Sequence, residues 1–332
     1  MIGLAGSVVF YTLFGFATIW QSLPLLFVAR IGAGMAGATI STAQAYIADA
    51  TSLANRPKGM ALVGMAFGLG FTFGPLLGYL AVPVEGATPG PGPGFAAAGI
   101  SAFALLLAFF KLPESRRPDS ESAARRWFDP TALRDALRTP SIALLLVAIF
   151  ITVFSFAKVE TTLSMLIKGK FQFAFREVCL TYAYIGLTLA VVQGGVVRRL
   201  AGRVHEGILA AGGALLQLIG FALIVWSINT SSVALLMAAL AIVVAGFAFM
   251  SPSLNSLLSR RTSPSSQGGI LGLGQSVNSL GRILGALVAI PMLKAQLTLP
   301  FMAAAVLMAL GAILVLAAAR GGEDYTVAQT DP

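Results

Sequence analysis

The chain has 332 residues, of which 57% are hydrophobic and only 11% are charged. With a mean hydropathy of +0.86, this composition excludes an ordinary soluble domain, in which about 25% of the residues are charged. The net charge of +9 does not indicate a nucleic-acid partner, because the basic residues lie in short segments between apolar stretches and form no basic face interleaved with aromatic residues.

Apolar stretches long enough to cross a bilayer recur along the whole chain. The ten predicted spans are 2–20, 24–47, 59–82, 95–111, 141–167, 177–197, 206–227, 231–257, 268–293 and 297–319. One long polar segment divides them into four and six. The predicted domains are an N-terminal bundle at 1–111, a linker at 112–139, a C-terminal six-helix bundle at 140–320 and a tail at 321–332.

The distribution of Lys and Arg predicts the orientation in the membrane. The linker, the loops on its side and the C-terminal tail carry 15 of the 22 basic residues, and the alternate loops carry four. The remaining three, Arg30, Lys158 and Arg282, lie within spans. The positive-inside rule therefore predicts a multi-pass protein of the cell's inner membrane, with a cytoplasmic linker and a cytoplasmic C-terminus.

The two halves of the chain resemble each other. At an offset of about 211 residues, Gly70 and Gly74 align with Gly281 and Gly285. Duplicated halves joined by a cytoplasmic linker are typical of secondary transporters, in which the substrate path runs between the halves. In this alignment the first half is shorter by about 70 residues, enough for two spans. We therefore expect two helices to be missing ahead of Met1, through a shortened chain or a misassigned start.

Arg30 is the first candidate functional residue, because an ionisable group inside a span is costly. It lies near the start of the second span, on a face shared with Gly34, Gly37 and Ser41. These small residues permit another helix to approach closely. The alternative is that the Arg30 side chain reaches the outer headgroups.

Further polar residues lie in the fifth and ninth spans. Gln275, Asn278 and Arg282 share one helical face, so they line a cavity or bridge structurally to another helix. Lys158 and Glu160 point about 200° apart, so we expect no ion pair between them. Glu160 is the candidate protonatable carboxylate, although both side chains are expected close enough to the outer surface to reach it.

The cytoplasmic loops supply candidate gate residues. Asp49 precedes a loop that contains Arg56 and is placed to cap that loop, to pair with its bases or to act in gating. Arg198 and Arg199 follow the sixth span and are either gate residues or simple positive-inside residues.

Metal and enzyme chemistry is not expected. Cys179 is the only cysteine and His205 the only histidine, which excludes internal disulfides, thiolate clusters and Ser–His–Asp chemistry. His205 is interpreted as a solvated loop residue. No cluster of nucleophile and base is evident, so the sequence predicts neither an enzyme nor a cofactor.

Four segments resemble motifs of the major facilitator superfamily, in its drug:proton antiporter branch with twelve helices. LLFVARIGAGMAGATISTAQAYIAD is similar to the fourth-helix motif, with Arg30 and Gly34 in place and Ala33 where Gln is common. GLGFTFGPLLGYL resembles the fifth-helix antiporter motif, with Tyr79 in place of its last glycine. The residues that match this second motif are Gly70, Gly74, Pro75 and Gly78. KLPES and GGVVRRLAGR are similar to the exit from helix six and to a loop motif of the second half.

This resemblance implies an all-α fold of two pseudo-symmetric bundles, with about ten of twelve helices present, starting at the third. It implies a monomeric secondary transporter that exports small amphipathic solutes or drugs against inward proton flow, with the bilayer and a small-molecule substrate as partners. It also implies that Arg30 takes part in proton coupling and that the fifth-helix glycines form a rocking interface. The alternatives are a metabolite or sugar exporter, a uniporter, or a membrane protein that does not transport.

Overall fold

A computed structural model describes residues 1–37, 39–52, 55–81, 90–111, 138–262 and 266–320. The helices are α1 (Ile2–Ile19), α2 (Leu23–Ala36), α3 (Thr39–Ala50), α4 (Arg56–Ala81), α5 (Gly92–Lys111), α6 (Pro140–Phe171), α7 (Phe175–Val191), α8 (Glu206–Thr230), α9 (Val233–Arg260), α10 (Gln267–Ala295) and α11 (Leu299–Arg320). A π-helical turn, Val192–Val197, continues α7. The described chain is therefore all-α, while most of the predicted linker and all of the predicted tail lie outside the described residues.

Within the described ranges, nine helices are long and apolar enough to cross a membrane, against the ten that we predicted. The expectation of a single helix over the predicted span 24–47 is wrong, because this stretch forms two shorter helices, α2 and α3. Gly37 follows the end of α2, and its backbone N–H donates to the carbonyl of Ala33. Each glycine costs a helix about 1 kcal/mol relative to alanine, so this glycine-rich stretch is a weak point in the span.

Helices α1, α2 and α5 pack together through small residues. A side chain at Gly32 of α2 would clash with the ring of Phe10 on α1. A Cβ at Gly94 of α5 would lie 2.8 Å from the backbone nitrogen of Gly15 on α1. Close approach of this kind replaces hydrophobic burial as the main source of helix association in a bilayer.

The six helices α6–α11 contain most of the buried core. Helix α6 packs against α10 and α11, and α8 packs against α9 and α11. Gly213 of α8 and Gly246 of α9 face each other, since a Cβ on either would lie about 2.5 Å from the carbonyl oxygen of the other. The largest fully buried apolar side chains here include Leu145, Phe221, Leu240 and Phe301.

Helix α4 joins the N-terminal helices to this core. It packs chiefly against α7, while α3 packs against α10. A Cβ at Gly68 would lie 2.5 Å from the backbone nitrogen of Ala190, and a Cβ at Gly186 would lie 2.5 Å from the carbonyl carbon of Phe71. The backbones of α4 and α7 therefore approach so closely that a methyl group does not fit between them.

Candidate functional site

An ion pair between α6 and α10 lies at the centre of the candidate site. One guanidinium nitrogen of Arg282, Nη1, lies 2.7 Å from Oε1 and 2.5 Å from Oε2 of Glu160. The Nε atom of Arg282 donates to Oδ1 of Asn278 at 3.3 Å. The side chains of Glu160 and Arg282 are 23% and 34% exposed. Charge-assisted contacts of this length are the stronger class of hydrogen bond, so the pair holds the two helices in register.

Small residues on α10 make this contact possible. A Cβ at Gly281 would lie 3.2 Å from the carbonyl oxygen of Phe150, and one at Gly285 would lie 2.8 Å from the carbonyl oxygen of Phe154. Because these glycines bring α10 against the backbone of α6, Arg282 is placed within reach of Glu160 on the neighbouring helix.

A mostly apolar cavity adjoins the carboxylate. Its lining residues are Phe71, Phe156, Val159, Glu160, Leu163, Tyr182, Ile185, Leu240, Val243 and Val244. The wall combines α4 with α6, α7 and α9, so it includes residues from both predicted halves of the chain. The hydroxyl of Tyr182 donates to the backbone carbonyl of Glu160 at 3.1 Å, and the ring of Phe156 stacks on Phe247 at 4.3 Å. The cavity measures about 20 Å³, which is room for about one water molecule, so it marks where the four helices meet.

Of the three polar residues predicted on one face of α10, two contact each other through their side chains. Asn278 and Arg282 contact each other as their spacing predicts. Gln275 is half-buried, and the structure shows its backbone carbonyl accepting from the hydroxyl of Ser279. Glu160 pairs with Arg282, in agreement with the expectation that it does not pair with Lys158.

The predicted position of Lys158 near the surface is wrong. Lys158 is only 1% exposed, and α6 extends to Phe171 rather than ending at 167. At a rise of roughly 1.5 Å per residue, Lys158 lies about 20 Å before the end of the helix. Its ammonium nitrogen lies 3.4 Å from the centroid of the Phe154 ring and donates to the Phe154 carbonyl at 3.2 Å. The sequence shows a lysine within an apolar span, but the predicted helix end at 167 placed this lysine too near the surface.

Arg30 is exposed on α2, with its guanidinium carbon 4.9 Å from the centroid of the Phe14 ring on α1. The close backbone contacts between α1 and α2 are made at Gly32 and Ala36. A Cβ at Gly34 would meet no atom within 4 Å among the described residues. The close approach that we expected at Gly34, beside Arg30, therefore occurs at Gly32 and Ala36 instead. The role of Arg30 stays a prediction.

The glycines of α4 that match the family's fifth-helix motif also make no close contact where we expected one. In the part of the chain that the structure describes, a Cβ at Gly70, Gly74 or Gly78 would meet no atom within 4 Å, and Pro75 lies inside α4. The close contact with α7 uses the neighbouring Gly68 instead. Their role as a rocking interface stays a prediction.

The candidate gate residues lie at one end of the helices. Asp49 is exposed near the end of α3, and Nη2 of the buried Arg56 donates to the carbonyl of Ala48 at 2.8 Å. Arg198 and Arg199 are exposed just after the π-helical turn. Their part in gating stays a prediction.

Sequence reasoning missed a second ion pair, between Glu206 and Arg260. Glu206 is 4% exposed, and its Oε1 lies 2.6 Å from Nη1 of Arg260, joining the start of α8 to the end of α9. A carboxylate in the first turn of a helix is favoured by the helix dipole. This position at the start of α8 is the feature of the sequence that could have identified Glu206. His205 caps the same helix, since its Nδ1 accepts from the backbone N–H of Gly207 at 3.1 Å.

The sequence profile of the Major Facilitator Superfamily matches residues 1–286. The chain therefore belongs to the major facilitator superfamily. It is a multi-pass membrane protein with the all-α fold of that family, whose members are transporters and not enzymes.

Relatives with similar sequences come from distant organisms. The chain is 32% identical over 311 residues to the human major facilitator superfamily domain-containing protein 10, an alignment that covers 83% of this chain and 64% of that protein. It is 27% identical over 289 residues to the class C tetracycline resistance protein of Escherichia coli, covering 87% of this chain and 70% of that protein. The chain thus spans somewhat less than two thirds of the length of its human relative.

A solved structure shows the same arrangement of helices. The crystal structure of the human organic anion transporter MFSD10 (TETRAN) matches with a TM-score of 0.82 and 28% sequence identity. This match covers 94% of the present chain and 75% of the human one. The superfamily assignment therefore rests on both the sequence and the fold.

Proposed function

We propose that this protein acts in proton-coupled secondary transport of small amphipathic solutes or drugs across the inner membrane, with its C-terminus in the cytoplasm. The observation that carries the proposal is the Glu160–Arg282 pair beside the apolar cavity. Among the described residues, Glu160 is the one carboxylate placed well inside a membrane-spanning helix. A proton is the proposed coupling ion, and no cofactor is required.

The pair links protonation to helix packing. When Glu160 carries a proton, it loses the negative charge that attracts Arg282, so the contact between α6 and α10 weakens. When the proton leaves, the pair re-forms and the helices return to the arrangement seen here. Because a ligand drives a conformational cycle only by binding its two states differently, a proton and a solute that both act on Arg282 become coupled. Tyr182 positions the backbone of Glu160 within this arrangement.

An amphipathic organic anion is a second candidate for the solute. Arg30, Lys158 and Arg282 lie inside predicted spans. Glu177 and Glu206 stand at the first positions of their predicted spans, so among the described residues Glu160 is the one carboxylate well inside a span that offsets this charge. The structural likeness to a human organic anion transporter points the same way. The similarity to a tetracycline resistance protein supports the efflux of drugs. Tetracycline and an aryl carboxylate are therefore the two probes to compare.

A pH jump in proteoliposomes tests the coupling. The purified chain is reconstituted, and uptake of tetracycline or 2-naphthoate is followed with and without an imposed pH gradient. We expect uptake against the concentration gradient that collapses when a protonophore is added, because the proton supplies the driving force. Uptake that only equilibrates, regardless of the pH gradient, would identify a uniporter. Uptake no faster than in protein-free liposomes would support a protein that does not transport.

Arg30→Ala is expected to abolish proton-driven uptake while membrane insertion stays intact. The substitution removes a permanent cation from α2, and the resemblance to the fourth-helix motif assigns this cation to proton coupling. Arg320→Ala, at the exposed end of α11, is the matched control and should transport as the wild type does. Wild-type uptake in Arg30→Ala would remove Arg30 from the mechanism.

A further inference from the structure

Lys158 is a buried cation without an acidic partner. The carboxylates in the described residues are those of Asp49, Glu160, Glu177 and Glu206. None of them forms an ion pair with Lys158, and two pair with arginines instead. An ammonium group has three donors, but the structure shows only the Phe154 carbonyl as acceptor and the Phe154 ring as a further contact. An uncompensated charge in such a place is costly and marks a functional site.

Ser155 provides a second, independent observation. Its side chain is 0% exposed, and its hydroxyl has no hydrogen-bond partner among the described residues. Hydroxyls on the same helix behave differently: Thr152 donates to the Ala148 carbonyl at 2.7 Å, and Thr162 donates to the Lys158 carbonyl at 2.6 Å. A buried hydroxyl that does not bond to its own helix requires an explanation such as a bound ion.

The two groups lie at the same level of α6. Ser155 precedes Lys158 by three residues, so they share one helical face. The lysine side chain folds back until its nitrogen contacts the carbonyl of Phe154, the residue next to Ser155. Ile151 lies on the same face, and a Cβ at Gly311 of α11 would lie 3.2 Å from its Cγ2 atom. This face points away from Glu160, which lies about 200° around the helix from Lys158, so the location differs from the Glu160–Arg282 site.

We propose that Lys158 Nζ and Ser155 Oγ form a binding site for one monovalent anion inside the C-terminal helices. The anion neutralises the ammonium and accepts from it, and the serine hydroxyl supplies a second donor. The Phe154 ring shields one side of the ammonium. The ligand is either an inorganic ion of the size of chloride or the carboxylate of a solute, since both present the same chemistry.

Thermal unfolding of the purified full chain in detergent tests the site. The melting temperature is measured against increasing sodium chloride, with sodium isethionate, a bulky sulfonate, keeping the ionic strength constant. A second series compares sodium benzoate with its uncharged analogue benzamide. We expect a saturable rise in the melting temperature with chloride, with benzoate, or with both, because a ligand that binds only the folded state stabilises it. Benzamide should have no effect.

Variants assign the response to the two residues. Lys158→Gln and Lys158→Met are expected to abolish the anion response. Ser155→Ala removes a single oxygen and should raise the half-saturating anion concentration by about tenfold, as expected for a hydrogen bond to a charged group. Lys168→Gln is the matched control, because Lys168 is on the same helix and also faces a phenylalanine ring, but is exposed. It should respond as the wild type does.

The outcomes separate support from refutation. Saturation by chloride alone supports an inorganic anion, and saturation by benzoate that chloride displaces supports the carboxylate of a solute. A wild-type melting temperature that is equal in chloride and isethionate, and equal in benzoate and benzamide, overturns the proposal. An unchanged anion response in Ser155→Ala and in a folded Lys158 variant overturns it as well. The arm in which the ligand is the carboxylate of a solute rests on the proposed function. Because no transport is measured, failure of this site is distinguished from failure of transport.

Discussion

Glu160→Gln will reduce proton-driven uptake to the level of protein-free liposomes. The substitution keeps the size of the side chain and its ability to accept from Arg282, but it removes the charge and the protonation on which the proposed coupling depends. The measurement is solute uptake under an imposed pH gradient. Glu177→Gln, at an exposed carboxylate at the start of α7, is the matched control and should retain uptake. Proton-driven uptake at the wild-type rate in Glu160→Gln would refute the proposed mechanism.

Exchange of the two charges tests the pair itself. Glu160→Arg alone places two cations together, and Arg282→Glu alone places two carboxylates together, so each should lower the melting temperature. The double variant restores an ion pair of opposite polarity and should recover part of that loss. Residues in direct contact show coupling free energies of about 0.5–3 kcal/mol in such cycles. Additive losses in the double variant would show that the contact between α6 and α10 does not depend on the pair.

Gly186→Ala will destabilise the protein, whereas Gly74→Ala will not. A methyl group at Gly186 has no space, because it would lie 2.5 Å from the carbonyl carbon of Phe71, and backbone atoms cannot yield as a flexible side chain can. Overpacking of this kind costs about 1–3 kcal/mol. A methyl group at Gly74 meets no described atom within 4 Å, and alanine favours a helix by about 1 kcal/mol over glycine.

The melting temperatures of these two variants in detergent provide the measurement. One kcal/mol corresponds to about 2–4 °C in a domain of 150–250 residues, so we expect Gly186→Ala to melt several degrees below the wild type. Gly74→Ala should melt at the wild-type temperature or above it. Equal melting temperatures for the two variants would contradict the close contact between α4 and α7.

The Glu160–Arg282 pair shows how far local reasoning reaches in this protein. Both residues were identified as candidates from the sequence, because a charged group in the bilayer interior needs a partner or water. Their partnership was not predicted, because 122 residues separate them along the chain and helical spacing relates only residues a few positions apart. Tyr182 was missed for the same reason, since it reaches Glu160 from a different helix.

The two glycine motifs make the complementary point. Gly74 and its aligned counterpart Gly285 have the same local spacing, yet Gly285 packs against the backbone of α6 and a Cβ at Gly74 would meet no described atom within 4 Å. The spacing predicts that close packing is permitted on that face, but the position of the neighbouring helices determines whether it occurs. In α4 that neighbour is α7, which approaches at Gly68.

The sequence by itself determined the class of protein, the apolar stretches of the nine helices long enough to cross a membrane among the described residues, and the residues whose charge is costly in a membrane. These properties follow from hydropathy and helix length, because a bilayer requires each span to be apolar and to satisfy its own backbone hydrogen bonds. Only the tertiary structure decided that the second span is broken, that Lys158 is buried and which helix faces contact one another. Each of these depends on atoms from distant parts of the chain, whose positions local periodicity does not specify.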